Sequence, residues 1–407
     1  MIKQIRFQGL LLTFSCLMSV ASYAQQSVWL DSLKANTKSF TILNNMYEGT
    51  GWGLLTNLIS NADYVLVGEE HGTKEIPFFC EQVVSILKSV TVVLEVDPYT
   101  AEELNRVSRL STTEAMTALK LHPFNYSFYS ADAEFDFIQR SAKPKITFTG
   151  IDQVSLLSSS LFFNLLHTKA TTKQGKVIAT EFAKAAYEKD REAIEAGKLE
   201  EMFLPSLSTE NFKRLDDAFT NEPAAAKDMI AQLKVSQQIY LNQRTGHSTR
   251  ISLMKKNLLS VYQEHLNNAK GKVFFKFGAN HSASTGSFMG NDDIGNLAKN
   301  LADANAQNTL HILTLGKEGT TNTFSPSFQQ SHNRTFSSAD KNSHLNALYP
   351  LFDLHKSNEV MVVDLRSLRK AWNQGKIQID AGIIRTIVNG YDVLVVFPKV
   401  SPSSYIK

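Results

Sequence analysis

The chain has 407 residues, of which 43% are hydrophobic and 20% are charged, and its formal net charge is +3. This composition excludes a mainly disordered chain, and the length suffices for one large domain or two ordinary ones. The small net charge gives no long-range electrostatic reason to expect a nucleic acid or a membrane surface as a partner.

The first 24 residues have the layout of a secretory signal peptide. A basic start with Lys3 and Arg6 precedes an apolar stretch from Leu10 to Ala21, and the small residue Ala24 closes the segment. The apolar stretch is too short to span a bilayer, which argues against a membrane anchor. We therefore predict a signal peptide at 1–24, export to the periplasm or the medium, and no stable membrane insertion of the mature chain.

Short apolar runs rich in β-branched residues alternate with helical patterns along most of the chain. Runs that are apolar on both faces are typical of strands buried in a parallel sheet. The predicted strands are Tyr64–Val67, Thr91–Leu94, Ile146–Thr149, Val273–Phe277, Leu310–Leu315, Met361–Leu365 and Val393–Phe397. The predicted helices between them are Ile76–Lys88, Ala101–Leu110, Phe135–Ser141 and Ile294–Asp303. This alternation predicts a layered α/β/α fold with a mainly parallel sheet.

Two segments interrupt the alternation. Between residues 155 and 268 no convincing strand pattern occurs, and Ala, Glu, Lys and Leu dominate, which predicts a helical insertion able to act as a lid. Gly, Thr, Ser and Asn are frequent from Lys317 to Ser343, which predicts a long loop or a mobile flap. The α/β domain is therefore predicted in two parts, 25–154 and 269–407, on either side of the insertion.

Acidic, amide and imidazole side chains follow four of the predicted strands, at the point where each strand ends. In an open parallel sheet, ligands bind beyond the carboxyl ends of the strands, so these side chains are expected to meet in one cleft. They are Glu69, His71 and Glu75 after the first strand, Glu95 after the second, Asp152 after the third, and Asn280 and His281 after the fourth. Two of them have an equally simple structural explanation, because Glu75 can complement a helix N-terminus and Asp152 can cap a helix.

Aromatic residues cluster in the segment LHPFNYSFYS. The aromatic residues of this segment are candidates for the wall of an apolar substrate cleft, to which tyrosine would add a polar tip, and they are Phe124, Tyr126, Phe128 and Tyr129. Packing in the core or within a loop is the alternative, and the sequence leaves both interpretations open.

Five short motifs, in order from about Asn61 to Pro402, resemble those of the erythromycin esterase-like hydrolases. The string VLVGEEHGTKEIPFF, which contains Glu69 and His71, is similar to the family signature G-E-x-x-H-G-T-x-E-F. The other four motifs are Arg250–Leu258, Gly278–His281, Ser287–Gly290 and Gly390–Pro398. One residue fewer separates Glu69 from His71 than in the macrolide esterases, and this spacing resembles the haem-binding ChaN-like branch of the superfamily.

The resemblance implies a metal-independent hydrolase, without a cofactor, that cleaves a small-molecule ester or lactone. In such a site His71 is expected to act as a general base toward water, with Glu69 or Glu95 holding its tautomer. Arg250 and His281 are expected to stabilise the oxyanion. One alternative is an exported protein of the same superfamily that binds haem or a divalent metal through its histidine and carboxylate side chains, without turnover. Another is a scaffold protein with a degenerate site.

Overall fold

The computed structural model describes residues 30–142, 146–242, 244–263, 271–323, 332–353, 358–379 and 382–406. The predicted signal peptide at 1–24 lies outside the described residues. No helix within the described ranges combines the length and the apolar character that crossing a membrane requires.

A sheet of nine strands forms the centre of the described chain, and two further strands form a separate hairpin. In chain order the strands are β1 (Thr37–Leu43), β2 (Met46–Glu48), β3 (Tyr64–Glu69), β4 (Thr91–Leu94), β5 (Thr147–Gly150), β6 (Val273–Gly278), β7 (Thr309–Gly316), β8 (Glu318–Thr323), β9 (His332–Ser337), β10 (Val360–Asp364) and β11 (Val393–Phe397). The sheet order is β2-β1-β10-β11-β7-β3-β6-β4-β5, and β8 pairs with β9. Strands β11, β7, β3, β6, β4 and β5 are mutually parallel, which confirms the predicted mainly parallel sheet.

Strand β3 shows why helices cover both faces of the sheet. All its residues are buried. Val67 belongs to one apolar core together with Phe79 from the helix that follows β3, whereas Leu66 belongs to a second core together with Met254. Because successive residues of a strand point to opposite faces, an uninterrupted apolar run requires helices on both sides. The described chain thus has the predicted α/β/α layers.

The helices lie between the strands and in the long segment after β5. They are α1 (Thr50–Asn61), α2 (Glu75–Leu87), α3 (Pro98–Val107), α4 (Thr112–Leu121), α5 (Asp132–Ser141), α6 (Ser159–Lys169), α7 (Lys173–Ala196), α8 (Phe203–Ser206), α9 (Thr209–Phe219), α10 (Ala224–Leu241), α11 (Gly246–Val261), α12 (Ala279–Ser282), α13 (Ile294–Ala304), α14 (Tyr349–Phe352), α15 (Arg366–Asn373) and α16 (Ile383–Gly390). The four predicted helices correspond to α2, α3, α5 and α13. Helix α3 begins earlier than predicted because the Asp97 carboxylate accepts hydrogen bonds from the backbone N–H groups of Tyr99 and Thr100.

The segment after β5 is helical, as the sequence predicts. Helices α6, α7, α9 and α10 pack around an apolar core of their own, which includes Phe162, Phe182, Leu215 and Met229. The Thr172 side chain caps the N-terminus of α7, and Gly197 ends this helix with a φ of 72°, a left-handed conformation that glycine adopts without strain.

Three features of the strands differ from the prediction. The segment Lys317–Ser343 contains the antiparallel pair β8 and β9 rather than only a loop. The frequent Thr and Asn residues conceal these strands, because polar residues of this kind are also typical of turns. The hairpin β1–β2 is absent from the prediction, and β10 runs antiparallel to both β11 and β1, so one edge of the sheet is antiparallel.

Candidate active site

A cavity of about 920 Å³ opens at the carboxyl ends of the central parallel strands. The register of the sheet brings these ends together, because Glu69 of β3 pairs with Gly278 of β6 and Leu94 of β4 pairs with Gly150 of β5. The polar side chains that line the cavity include Glu69, Glu70, His71, Glu95, Arg250, Asn280, His281 and His344.

His71 lies between two carboxylates. Its Nδ1 is 2.8 Å from Oε1 of Glu69, and its Nε2 is 3.5 Å from Oε2 of Glu95. The ring of Phe128 stacks on the imidazole with 4.2 Å between ring centroids and 15° between ring planes. The carboxylates therefore set the orientation of the imidazole within its plane, and the aromatic ring sets the plane.

Lys276, a buried lysine in β6, stabilises the ionised form of Glu69. Its Nζ is 2.7 Å from Oε1 of Glu69 and 2.8 Å from Oε2 of Glu134. A buried ammonium group is costly unless it is paired, and here a carboxylate lies on each side of it. Burial alone would raise the pKa of Glu69, but Lys276 and the hydrogen bond with His71 lower this pKa below its ordinary value. Burial raises the pKa of Glu134 to about 7.

Glu95 connects His71 to a second imidazole. Its Oε1 is 3.5 Å from Nε2 of His281 and accepts a 2.8 Å hydrogen bond from Nη2 of Arg250. Its Oε2 accepts a 2.6 Å hydrogen bond from the backbone N–H of Gly278. Burial acts to raise the pKa of Glu95, but His281, His71 and Arg250 lower it well below its ordinary value. Glu95 is therefore held as a carboxylate.

Arg250 and His281 are each anchored by a further carboxylate. Arg250 donates from Nε and Nη2 to Asp152, at 2.9 Å and 2.5 Å. Nδ1 of His281 is 2.9 Å from Oδ2 of Asp293. Burial lowers the pKa of an imidazole, yet Glu95 and Asp293 raise the pKa of His281 above its ordinary value. Both side chains are therefore held toward Glu95, and the shift in pKa favours the cationic form of His281.

His71 is a much stronger base than an ordinary histidine. Burial acts to lower its pKa, but hydrogen bonds with Glu69 and Glu95 outweigh burial and raise the pKa to about 10. The ring is therefore an imidazolium at neutral pH. This finding differs from the unperturbed titration near pH 6.5 on which the sequence-based expectation of a general base depends.

Distant segments hold the backbone of the loop that follows β3. The carbonyl of Gly72 accepts hydrogen bonds from the N–H groups of Asn322, at 2.9 Å, and Ser403, at 3.0 Å. Gly72 has a φ of 84°, and a Cβ at this position would lie 2.1 Å from the carbonyl oxygen of Asn322. Oε2 of Glu75 accepts the N–H of Ser401 at 2.9 Å. The loop is thus braced by β8 and by the segment 401–403.

Most of the predicted site residues meet at the cavity. Those that line it are Glu69, His71, Glu95, Arg250, Asn280 and His281. Asp152 does not line it but is buried and bound to Arg250. The geometry places these side chains together, and their chemical roles stay predictions.

Three predicted site residues lie away from the cavity. Tyr126 is fully buried, with its hydroxyl group 3.5 Å from Glu103. Phe124 packs edge-on against Tyr405 and lines a different cavity. Glu75 supports the loop backbone through Ser401, so its position is structural. The structure therefore does not bring these three residues to the cavity. For the two aromatic residues the alternative of packing is the one observed.

Three important residues are missing from the sequence-based prediction. Lys276 had a usable signal, because it is the charged residue in the otherwise apolar strand VFFKFG. Glu134 lies on α5 and Asp293 precedes α13, and both look like ordinary residues at a helix N-terminus.

The alternative of a bound haem or divalent metal stays a prediction, and both candidate imidazoles are paired with carboxylates. Both ring nitrogens of His71 face carboxylates, and so do both ring nitrogens of His281. Within the described ranges, no group of three or more His, Cys, Asp or Glu side chains is arranged to hold a metal ion.

Comparison with known proteins identifies the fold. No family model and no curated protein matches the sequence. Among solved structures, an erythromycin esterase, a mutant of EreC in its open conformation, is 14% identical, with a TM-score of 0.61 over 91% of this chain and 99% of that one. A succinoglycan biosynthesis protein is 17% identical, with a TM-score of 0.58 over 94% of this chain and 99% of that one. A protein from Bacillus cereus is 17% identical, with a TM-score of 0.57 over 93% and 98%.

The chain is thus a layered α/β protein with a cleft of paired imidazoles and carboxylates at the carboxyl ends of its strands. Its fold is the one seen in erythromycin esterase EreC, and the match extends over nearly the whole length of both chains. The resemblance in sequence motifs is therefore confirmed at the level of the fold.

Proposed function

We propose that this protein is a hydrolase that cleaves a carboxylic ester or a lactone of a small molecule, with water activated by His71. The observation that carries the proposal is the position of Glu95, which lies 3.5 Å from one nitrogen of His71 and 3.5 Å from one nitrogen of His281. Two imidazoles that flank one carboxylate provide a proton acceptor and a hydrogen-bond donor within one cavity. The fold shared with an erythromycin esterase supports this class of reaction.

In the proposed reaction, neutral His71 accepts a proton from water at Nε2 while the water oxygen adds to the carbonyl carbon. Glu69 holds the proton on Nδ1 and so leaves Nε2 as the basic nitrogen. The oxyanion of the tetrahedral intermediate accepts a hydrogen bond from protonated His281. When the intermediate collapses, the bond to the leaving oxygen breaks, and that oxygen takes the proton from Nε2 of His71.

Arg250 acts on Glu95 in this proposal. Its Nε and Nη2 are bound to the carboxylates of Asp152 and Glu95, so these donors are not directed at a substrate. We therefore assign Arg250 a positioning role, which replaces the expectation that it stabilises the oxyanion directly. Asp152 in turn fixes the guanidinium.

One side of the cavity is apolar and fits a hydrophobic part of the substrate. The apolar side chains that line it include Phe288, Leu315, Leu345, Ile383 and Ile387. A cavity of about 920 Å³ lies in the upper part of the range for small-molecule sites. The proposal therefore favours a substrate with a sizeable apolar group on the acyl or the alcohol side.

The test is hydrolysis of a panel of aryl esters, alkyl esters and lactones by the wild-type protein and by two variants, His71→Ala and Glu95→Gln. Loss of a general base costs about 100-fold or more, so kcat/KM should fall by at least that factor in His71→Ala. The matched control is His167→Ala, since His167 lies on α6 outside the cavity. Full activity in both site variants, or no hydrolysis of any panel member by the wild type, contradicts the proposal.

We further propose that the chain is exported through cleavage after Ala24. The support is the basic start, the short apolar stretch and the small residue at the end of the segment. N-terminal sequencing of the protein from a secreting host tests this, and a mature chain that still begins at Met1 contradicts it.

A further inference from the structure

A side cavity of about 260 Å³ adjoins the main cavity of about 920 Å³. Glu70, His71 and Phe128 line both cavities, so the proposed base lies where the two meet. The remaining residues of the side cavity come from the loop after β3, the start of α5, the hairpin β8–β9 and the segment 403–405, and they are Gly72, Ala131, Glu134, Thr321, Asn322, Arg334, Ser403 and Tyr405. The reaction proposed above gives the side cavity no role.

Several polar side chains of the side cavity have no bonding partner among the described residues. Glu70 and the exposed Arg334 form no hydrogen bond and no ion pair with a described residue, and the hydroxyl groups of Thr321 and Ser403 form no hydrogen bond with one. Thr321 and Ser403 are buried, but their hydroxyl oxygens are not among the buried oxygens without a partner, so both retain accessible surface. The side cavity thus offers hydrogen-bond donors and acceptors to a ligand.

The register of the hairpin places two of these side chains next to each other. Thr321 of β8 is directly opposite Arg334 of β9. Residues that face each other across an antiparallel pair have their side chains on the same face, and both of these residues line the side cavity. A hydroxyl group and a guanidinium group therefore lie side by side on the hairpin face that borders the side cavity.

The charges around the side cavity favour a neutral ligand over an ion. Burial raises the pKa of Glu70 above its ordinary value, while His344 and Arg334 act to lower it, so acidic and basic groups lie near each other. The other carboxylate of the lining, Glu134, is paired with Lys276 at 2.8 Å. An alcohol hydroxyl can donate to a carboxyl oxygen and accept from a guanidinium, which makes a neutral hydroxylated group complementary to this lining.

We propose that the side cavity binds the alcohol part of the substrate and that this alcohol is a neutral polyol, as in an ester of glycerol. The acyl part then lies against the apolar wall of the main cavity, which includes Leu345, Ile383 and Ile387. Because a water molecule occupies about 30 Å³ in the liquid, the side cavity has room for a group the size of glycerol. The inference rests on the proposed hydrolase function, since it assigns the two parts of the ester.

The first test compares hydrolysis of two esters with the same acyl group, 1-glyceryl hexanoate and propyl hexanoate. The wild type should have a kcat/KM at least about 5-fold higher for the glycerol ester, because each hydrogen bond to a neutral hydroxyl contributes a factor of about 2 to 10. If both esters are hydrolysed with kcat/KM values within about 2-fold of each other, the polyol site is refuted while the hydrolase function stands.

Variants of the hairpin locate the effect in the side cavity. Thr321→Val/Arg334→Met removes the hydroxyl and the guanidinium but keeps the shape of the first side chain and an unbranched second one, and it should abolish the preference for the glycerol ester. Thr321→Ser keeps the hydroxyl and should retain the preference. Thr335→Val is the matched control, since Thr335 lies on β9 and lines neither cavity. A preference that persists unchanged in the double variant overturns the proposal.

A binding measurement decides the proposal if neither ester is hydrolysed, a result that would count against the hydrolase function. The ether 1-O-hexylglycerol cannot be hydrolysed, and its dissociation constant is measured by NMR titration of the full chain. The double variant should bind it at least about 5-fold more weakly than the wild type and the Thr335→Val control do. Equal affinity in the wild type and the double variant, or no binding to the wild type, refutes the polyol site.

Discussion

Gly278 lies so close to His71 that a Cβ at residue 278 would be 2.8 Å from Nε2 of the imidazole. The backbone N–H of Gly278 also donates to Glu95 at 2.6 Å. Strand β6 therefore ends in a residue whose missing side chain leaves room for the imidazole and the carboxylate to approach each other. The separation of these two groups depends on this glycine.

Substitution Gly278→Ala is expected to displace His71 and to lower hydrolytic activity. The added methyl group must move the imidazole away from Glu95, and a displacement of about 1 Å in an active site can cost roughly 100-fold in rate. The measurement is kcat/KM on the best ester of the panel. Gly53→Ala is the matched control, since a Cβ there meets no atom within 4 Å. Wild-type kinetics in Gly278→Ala would show that the close approach of His71 to Glu95 is unimportant for catalysis.

The pH dependence of activity should follow the neutral form of His71. Because the pKa of His71 is raised to about 10, the basic form is a small fraction at pH 7 and grows as the pH increases. We expect kcat/KM to rise by roughly tenfold per pH unit between pH 7 and 9, after subtraction of the uncatalysed rate. A profile that levels off near pH 6.5 would show that another group is the base.

The contribution of His71 to the free energy of unfolding should decrease over the pH range in which kcat/KM increases. The pKa of folded His71, about 10, lies above the ordinary value of 6.5. The stabilisation from charged His71 is therefore fully present below pH 6.5 and is lost as the pH rises toward 10. The measurement is the difference in free energy of unfolding between the wild type and His71→Gln, by urea denaturation at several pH values. This difference should shrink from pH 6.5 to 10, and a constant difference contradicts the shifted pKa.

Replacement of Lys276 tests how much its ion pairs with Glu69 and Glu134 contribute to stability. In Lys276→Met the carboxylates of Glu69 and Glu134 remain buried without their shared cation, and the loss of one partner from a buried ion pair costs about 3–5 kcal/mol. The double variant Lys276→Met/Glu134→Gln removes one of the two negative charges and should recover part of this loss. Urea denaturation measures both. Equal stability of the single and double variants would indicate that Glu134 is not coupled to Lys276.

The stacked ring of Phe128 should matter for the orientation of His71. Phe128→Leu keeps an apolar side chain but loses the ring, and aromatic pairs contribute about 0.5–1.5 kcal/mol beyond their buried area. We expect kcat to fall by about 3- to 10-fold in this variant, in proportion to that energy. Phe128→Tyr retains the ring and should keep nearly all the activity. Equal kcat values in the two variants would exclude a role for stacking.

The buried parallel strands were the part of the fold most accessible to sequence analysis. Runs such as Thr91–Leu94 and Val393–Phe397 are apolar on both faces, and the structure contains them with the same bounds. The hairpin β8–β9 was not accessible, because its strands are polar and lie outside the large apolar sheet. The direction of β10 was also hidden, since a buried antiparallel strand has the same apolar pattern as a parallel one.

The candidate site was predictable where side chains follow strands directly. Glu69, Glu95 and His281 meet because the ends of parallel strands meet, and this relation needs only the strand positions. The partners Glu134 and Asp293 come from helices, and their approach depends on tertiary packing that no local pattern encodes. The raised pKa of His71 was likewise inaccessible, since it arises from two carboxylates that converge only in the folded chain.

The hydrogen bonds between the loop after β3 and the segment 401–403 determine when this loop can reach its native conformation during folding. The Glu75 carboxylate and the Ser401 N–H that it accepts are separated by 326 positions along the polypeptide. During synthesis, the hydrogen bond between Glu75 and Ser401 therefore cannot form until residue 401 has been added to the chain. Chain segments released by premature termination before residue 401 would contain the strands and the imidazoles, yet would lack the hydrogen bonds from Ser401 and Ser403 to the loop after β3.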